Sequence, residues 1–176
     1  YKIQRVDELF RLFNPTQAAG DLGYPNDLSY TLHEKYGDKF VAMSGLGNLT
    51  SNYKMRTDVF PKRIDFNSQF ALEEIFQCFR DGIIKFPYKD YEKIAWLVEM
   101  CASMDTKISY DKHGGIKERF VKGNIPNDGL MALLYAYIAY KSKITDNFSN
   151  MDPRLKKDIS KIAVAPVLGF SLPRMK

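Results

Sequence analysis

Two acidic turns carry the residues best suited to chemistry. The first is Gly20-Asp21-Leu22-Gly23-Tyr24-Pro25-Asn26-Asp27, and the second is Asn127-Asp128-Gly129 at the head of the apolar run Leu130-Met131-Ala132-Leu133-Leu134-Tyr135-Ala136-Tyr137. Asp21 is expected at the exposed end of a buried strand and Asp128 at a helix N-terminus. Two such carboxylates, if the fold brings them together, offer hard oxygen ligands to a divalent cation such as Mg2+ or Mn2+. Each also has an ordinary structural role: Asp is common in glycine-containing turns, and Asp128 can cap backbone N–H groups. Residue type alone does not choose between the two readings.

The elements that must position these residues follow from periodicity. Gln4 to Phe13 sets Val6, Leu9, Phe10 and Phe13 at helical spacing and ends at Asn14-Pro15. Thr16 to Gly20 reads as a short strand emptying into the Asp21 turn, Leu28 to Tyr36 as a helix stopped at Gly37, and Lys39 to Met43 as the next strand. Strand, acidic turn, helix, strand is the crossover unit of parallel α/β architecture. Ser44 to Asn52 is loop-like, with extended segments expected at Met55 to Phe60 and Arg63 to Phe66. Asn67 or Ser68 can cap a helix that ends at Gly82, followed by a short strand at Ile83 to Phe86 and a helix from Tyr91 to Ser103. Lys107 to Tyr110 and Ile116 to Val121 flank Asp111-Lys112-His113-Gly114-Gly115, a hairpin signal. The helix opened by Asp128 is expected to reach Lys143, and Asp152-Pro153 begins a basic helix carrying Lys156, Lys157 and Lys161. The sum is an α/β fold, a mixed sheet flanked by helices, with Asp21 at the carboxyl ends of the strands where functional groups gather.

Composition sets the outer limits. At 176 residues and 45% hydrophobic content the chain is long and apolar enough for one packed domain, which excludes disorder throughout. Its 26 Lys and Arg against 21 Asp and Glu give a net charge of +5, which favours an anionic partner. Cys78 and Cys101 lack CxxC spacing and fall on apolar helix faces, so a reducing cytosol is expected, with neither a disulfide framework nor a zinc site. No cleavable signal is read, and the apolar run from Leu130 to Tyr140 is too short and Tyr-rich to span a bilayer, so a soluble chain without a membrane partner is expected. Because it begins at Tyr1 and enters helical pattern at once, the chain reads as a piece of a longer protein.

For nucleic acid, the candidates are Lys107, Lys112, Lys117, Arg119 and Lys122 on and just after the hairpin, with Lys54 and Arg56 after the Gly-rich loop. Such side chains bind phosphate without reading sequence; the competing reading is a solvated strand face. Asp27 and Asn127 are either supports for a metal or substrate or solvated turn residues. Asp111 and His113 belong to the hairpin turn unless it folds over the site. His33 has no Cys or second His nearby and is not expected to bind metal, while Trp96, Phe70, Phe76 and Phe79 are expected in the core.

In order and surroundings the two turns resemble the C-terminal nuclease domain of the large terminase subunit of tailed bacteriophages. The resemblance runs from about Lys2 to Lys143. It rests on Arg5-Val6-Asp7-Glu8-Leu9-Phe10, on Ala19 to Asp27 with Tyr36-Gly37 a helix later, and on Pro126-Asn127-Asp128-Gly129 with the apolar run to Ala136. It implies an RNase H-like domain over residues 1–145, with a basic helix and tail over 146–176. It also implies endonucleolytic cutting of concatemeric double-stranded DNA by a site using Mg2+ or Mn2+. Asp21 matches the family's second acidic motif and Asp128 its third, both as catalytic metal ligands, with Asp27 a further candidate. The family's first acidic residue has no counterpart, because residues 1 to 13 read as the helix that follows the opening strands. The resemblance therefore implies a partial domain lacking a three-strand meander and one ligand. Its activity as it stands is in question, and its Thr16 to Gly20 strand exposes an edge open to self-association. Implied partners are an upstream ATPase domain, the portal and the small terminase subunit, in the cytoplasm of a bacterial host. The alternative is a non-catalytic module that holds DNA or a portal-type partner. A Holliday-junction resolvase of the same superfold is weaker, because its signature is not seen.

Overall fold

The computed structural model describes residues 2–23, 27–47, 49, 52–86, 89, 91–110 and 113–149. In chain order the elements are α1 (Lys2–Phe13), β1 (Ala18–Asp21), α2 (Asp27–Tyr36), β2 (Phe40–Gly45), β3 (Tyr53–Arg56), β4 (Arg63–Phe66), α3 (Ser68–Arg80), α4 (Tyr91–Cys101), β5 (Met104–Tyr110), β6 (Ile116–Lys122) and α5 (Asp128–Ser149). The tail helix expected from Asp152 lies outside the described residues.

In β2, the organising strand, Phe40, Val41, Ala42 and Met43 are all buried, the continuous apolar run of a strand covered on both faces. β1 and β4 flank it in parallel, and β3 closes the sheet antiparallel to β4, in the order β1-β2-β4-β3. This mixed sheet and its β1-α2-β2 crossover are as expected from the sequence, and β1 stands at a sheet edge. Period-two alternation sorts the side chains to two faces. Ala19, Val41, Met43, Ile64 and Phe66 turn to one face, into the main core with Leu72 and Ile75 of α3 and Leu130, Leu134 and Ile138 of α5. Ala18, Phe40 and Ala42 turn to the other, against Leu32 of α2 and Val6 of α1. Each fully buried side chain of the Ile75 or Leu134 kind contributes about 2 kcal/mol.

Local contacts fix the helices. Phe10 stacks on Tyr36 with ring centroids 3.7 Å apart, and Asp7 accepts hydrogen bonds from Lys35 at 2.5 Å and from the Tyr36 hydroxyl, locking α1 to α2. The bond from Lys35 and then that from Tyr36 hold the Asp7 carboxyl below its ordinary range. Of the two possible caps for α3, Asn67 is used: its side chain accepts from the Gln69 and Phe70 backbone N–H groups at 3.1 and 3.4 Å.

Several expectations are corrected. No strand forms at Ile83 to Phe86. The N–H groups of Ile83 and Ile84 donate instead to the Cys78 carbonyl, closing α3 through Gly82 at φ +65°, and Ile84 is buried in the core. The extended segment expected at Met55 to Phe60 lies at Tyr53–Arg56, and α5 continues past Lys143 to Ser149. Trp96 is 55% exposed and Phe70 is also exposed, whereas Phe76 and Phe79 do pack against the core. The inward stripe of α4 is Ile94, Leu97, Val98 and Cys101, which turns Trp96 outward. Cys78 and Cys101 are buried free thiols, and burial pushes the Cys101 thiol up. No helix among the described residues is long and apolar enough to cross a membrane.

A charged group packed on β4 had no place in the sequence reading. Asp65, 2% exposed, lies 2.9 Å from Arg63 and 3.6 Å from Arg56. The Arg63 contact lacks hydrogen-bond alignment, so charge attraction alone must offset the desolvation of Asp65. Asp65→Ala leaves two half-buried arginines facing each other without their shared carboxylate. We expect a loss of about 2 kcal/mol in urea unfolding, less than for a fully buried pair because both arginine side chains keep 30% exposure. A loss below about 0.5 kcal/mol, the range of ordinary surface substitutions, would show that the cluster does not hold the sheet.

Candidate active site

Asp21 closes β1 opposite Met43 of β2. Parallel register partners share a sheet face, so Asp21 is turned to the side that α5 covers, at its exposed margin. Its main chain is pinned, since the Ser29 hydroxyl donates to the Asp21 carbonyl at 2.9 Å and the Leu22 N–H donates to the Met43 carbonyl at 2.8 Å. Gly23 then turns the chain at φ +40°, so close behind that a Cβ there would lie 3.5 Å from an Asp21 carboxylate oxygen.

α5 supplies the other wall. Asn127 precedes the helix, and its carbonyl accepts from the Met131 N–H at 3.0 Å. Asn127 thus takes the N-cap position, which makes Asp128 the first helical residue, with an exposed carboxylate. Buried Gly129 permits the close approach of α4, because a Cβ there would stand 2.8 Å from Leu97 Cδ1 and 3.0 Å from Met100 Sδ. Tyr135 follows Asp128 by about two helical turns and so lies on the same helix face. Its phenol lies beside the Asp21 carboxylate, and its ring meets Phe66 edge-on at 5.8 Å. Burial first, then the charge and hydrogen bond of Asp21, push the Tyr135 hydroxyl up to about 12. Side chains lean toward their helix N-terminus, so this contact falls on the Asp128 side of Tyr135. Residue type alone assigns Tyr135 no role in the sequence; its helical phase relative to Asp128 is the one signal that sets the two on the same face.

The other candidates divide. Asp27 opens α2, whose Leu32 packs on the sheet face opposite α5. Asn127 donates through Nδ2 to Met104 Sδ at 3.3 Å, which ties the head of α5 to β5. His33 is a buried core histidine, its Nδ1 3.2 Å from the Phe40 carbonyl oxygen and its ring edge-on to Phe60 at 5.1 Å. Lys107 and Arg119 are register partners across the hairpin, and Lys122 ends β6; all are exposed. Lys117 lies in β6 opposite Ser109, whereas Asp111 and Lys112 lie outside the described residues. Lys54 is exposed on β3. Arg56 instead grips both carboxylate oxygens of Asp58 at 2.8 Å and also faces Asp65, which commits it to the sheet. That bidentate grip holds the Asp58 carboxyl down to about 2.

Asp21 and Asp128 offer oxygen donors from two elements, the donor type that Mg2+ and Mn2+ take. Among the described residues, no group of three or more His, Cys, Asp or Glu is arranged to hold a metal. The chain matches no protein-family model, no curated protein and no solved structure.

Tyr135→Phe removes a part-buried phenol hydroxyl beside the Asp21 carboxylate, and we expect a stability loss of about 1 kcal/mol at neutral pH. The pH dependence is also diagnostic. A phenol raised in the folded state contributes stability that is present below pH 10 and is lost as pH rises toward about 12. The variant should therefore lose less stability than the parent across that window, the remaining slope including Tyr137, which is raised as well. Identical alkaline slopes would contradict the burial of the Tyr135 phenol beside Asp21.

Proposed function

We propose that the chain is a metal-dependent DNA endonuclease module with an RNase H-like fold, of the kind that cuts concatemeric DNA in the packaging motors of tailed bacteriophages. The observation that carries this reading is the packing of α5 on the sheet face shared by Asp21 and its register partner Met43, which brings the helix opened by Asp128 to the carboxylate at the end of β1. The parallel β1-α2-β2 crossover, with α5 against the same face as Asp21, agrees with the layout that the resemblance implies. β1 at the sheet edge leaves a position for further strands, supplied by a preceding segment or by a second copy.

Asp21 and Asp128 would hold the metal, with any further ligand coming from beyond this pair. A bound Mg2+ or Mn2+ supplies a water of lowered pKa and stabilises the leaving oxygen of the phosphodiester. Tyr135, beside Asp21, would donate its phenol hydrogen to that carboxylate and so orient it toward the metal. Lys107, Arg119 and Lys122, with Lys112 and Lys117, hold the DNA backbone without reading its sequence. An upstream ATPase domain, the portal, the small terminase subunit and the cytoplasm of a bacterial host belong to the same proposal. A non-catalytic module that holds DNA or a portal-type partner on this basic surface is the second reading, and metal binding separates the two.

Calorimetric titration of Mn2+ into the chain tests the ligand assignment. Asp21→Asn and Asp128→Asn are each expected to weaken binding by at least about tenfold. Joining to the chain a segment that supplies a further acidic ligand should give Mn2+-dependent plasmid nicking that Asp128→Asn abolishes. Mn2+ affinity unchanged in both variants would remove the nuclease reading.

A further inference from the structure

The β5–β6 hairpin is a second sheet of its own, paired along its whole length from Met104↔Lys122 to Tyr110↔Ile116. Its base is fixed to the body. The Gln69 side chain pairs with the Phe120 backbone as a strand would, donating to its carbonyl at 3.1 Å and accepting from its N–H at 2.8 Å. The Phe120 ring packs 5.1 Å from that of Phe76. Gly123 closes the base so tightly that a Cβ there would stand 2.4 Å from the Ser103 carbonyl oxygen.

The far end is chemically different. Tyr110 and Ile116 face each other across the ladder at 73% and 72% exposure, and Ile108, two residues along the same face, is 60% exposed. Three large apolar side chains therefore stand in water at the tip of a rigidly based ribbon, a costly arrangement unless something covers them. The opposite ribbon face carries the exposed pair Lys107 and Arg119. A flat surface engages one face of a ribbon, whereas a groove or a separated pair of strands engages both. A two-stranded ribbon fits a duplex groove, where cations meet phosphate and apolar side chains wedge between base steps.

We propose that this hairpin is a wedge for opened or distorted duplex DNA. Tyr110, Ile108 and Ile116 stack on exposed bases, while Lys107 and Arg119 hold the flanking phosphates. This rests on the reading of the chain as a DNA-binding protein and adds the form of DNA it selects. It predicts that the protein prefers duplex with an unpaired interior segment to the same duplex fully paired.

The test is fluorescence anisotropy of the full chain with a fully paired duplex and with one of the same length carrying a central bubble, over a salt series. The parent should bind the bubble several-fold more tightly. Ile108→Ser/Tyr110→Ser/Ile116→Ser should abolish that preference while keeping the affinity for paired duplex, and Tyr110→Phe should retain it. Lys107→Gln/Arg119→Gln should weaken both substrates and lower the salt slope by about two. Equal binding of both DNAs by the parent, or a preference that survives the triple serine variant, overturns the wedge and leaves the DNA reading standing. Absence of binding to either DNA overturns both. Tip-dependent adsorption to anionic phosphatidylglycerol vesicles without a preference among DNAs assigns the tip to lipid and also overturns the proposal.

Discussion

The two-sided burial of β2 is the constraint on which the remainder of the molecule depends. A strand covered on both faces cannot slip by one residue without exchanging the environment of every side chain. Met43 must lie beneath α3 and α5, and Ala42 must face α2. The register of β1 then follows, because Ala18 to Asp21 pair one to one with Phe40 to Met43. Asp21 is aimed toward α5 as a consequence of core packing, before any chemistry is considered.

The same constraint explains why a small edge strand can hold the candidate carboxylate in place. β1 consists of Ala18, Ala19, Gly20 and Asp21, with little apolar bulk to anchor it. Its position is set by the ladder to β2, by the Ser29 hydroxyl beneath the Asp21 carbonyl, and by Tyr135 from α5. Gly129 lets α4 press against the first turn of α5 and so fixes the end that carries Asp128. The candidate carboxylates are thus held from behind by packed main chain, while their own side chains stay at the surface.

Much of this was legible in the sequence where the signal was local. The β1-α2-β2 unit, the Asn67 cap and the β5–β6 hairpin each announce themselves through periodicity or turn chemistry within a short window. The errors have physical causes of the opposite kind. Ile83 to Phe86 is a short apolar run, which plugs a core as readily as it forms a strand. Residue type alone places Trp96 in the core, whereas the helical phase of Ile94, Leu97 and Cys101 decides which way it faces. Asp65 meets Arg56 only because β3 and β4 pair, and Tyr135 meets Asp21 only because α5 packs over β1. Contacts of that range leave no trace in local pattern, so the two acidic turns stand out in the sequence while the approach of Tyr135 to Asp21 does not.

The central claim is that Asp21 and Asp128 serve one metal site, and a crystal of the chain soaked in Mn2+ tests it most directly. The account requires anomalous density within about 2–2.5 Å of a carboxylate oxygen from each residue. Carboxylates more than about 8 Å apart, with no shared density between them, would contradict it, because ions of a two-metal site stand only about 4 Å apart.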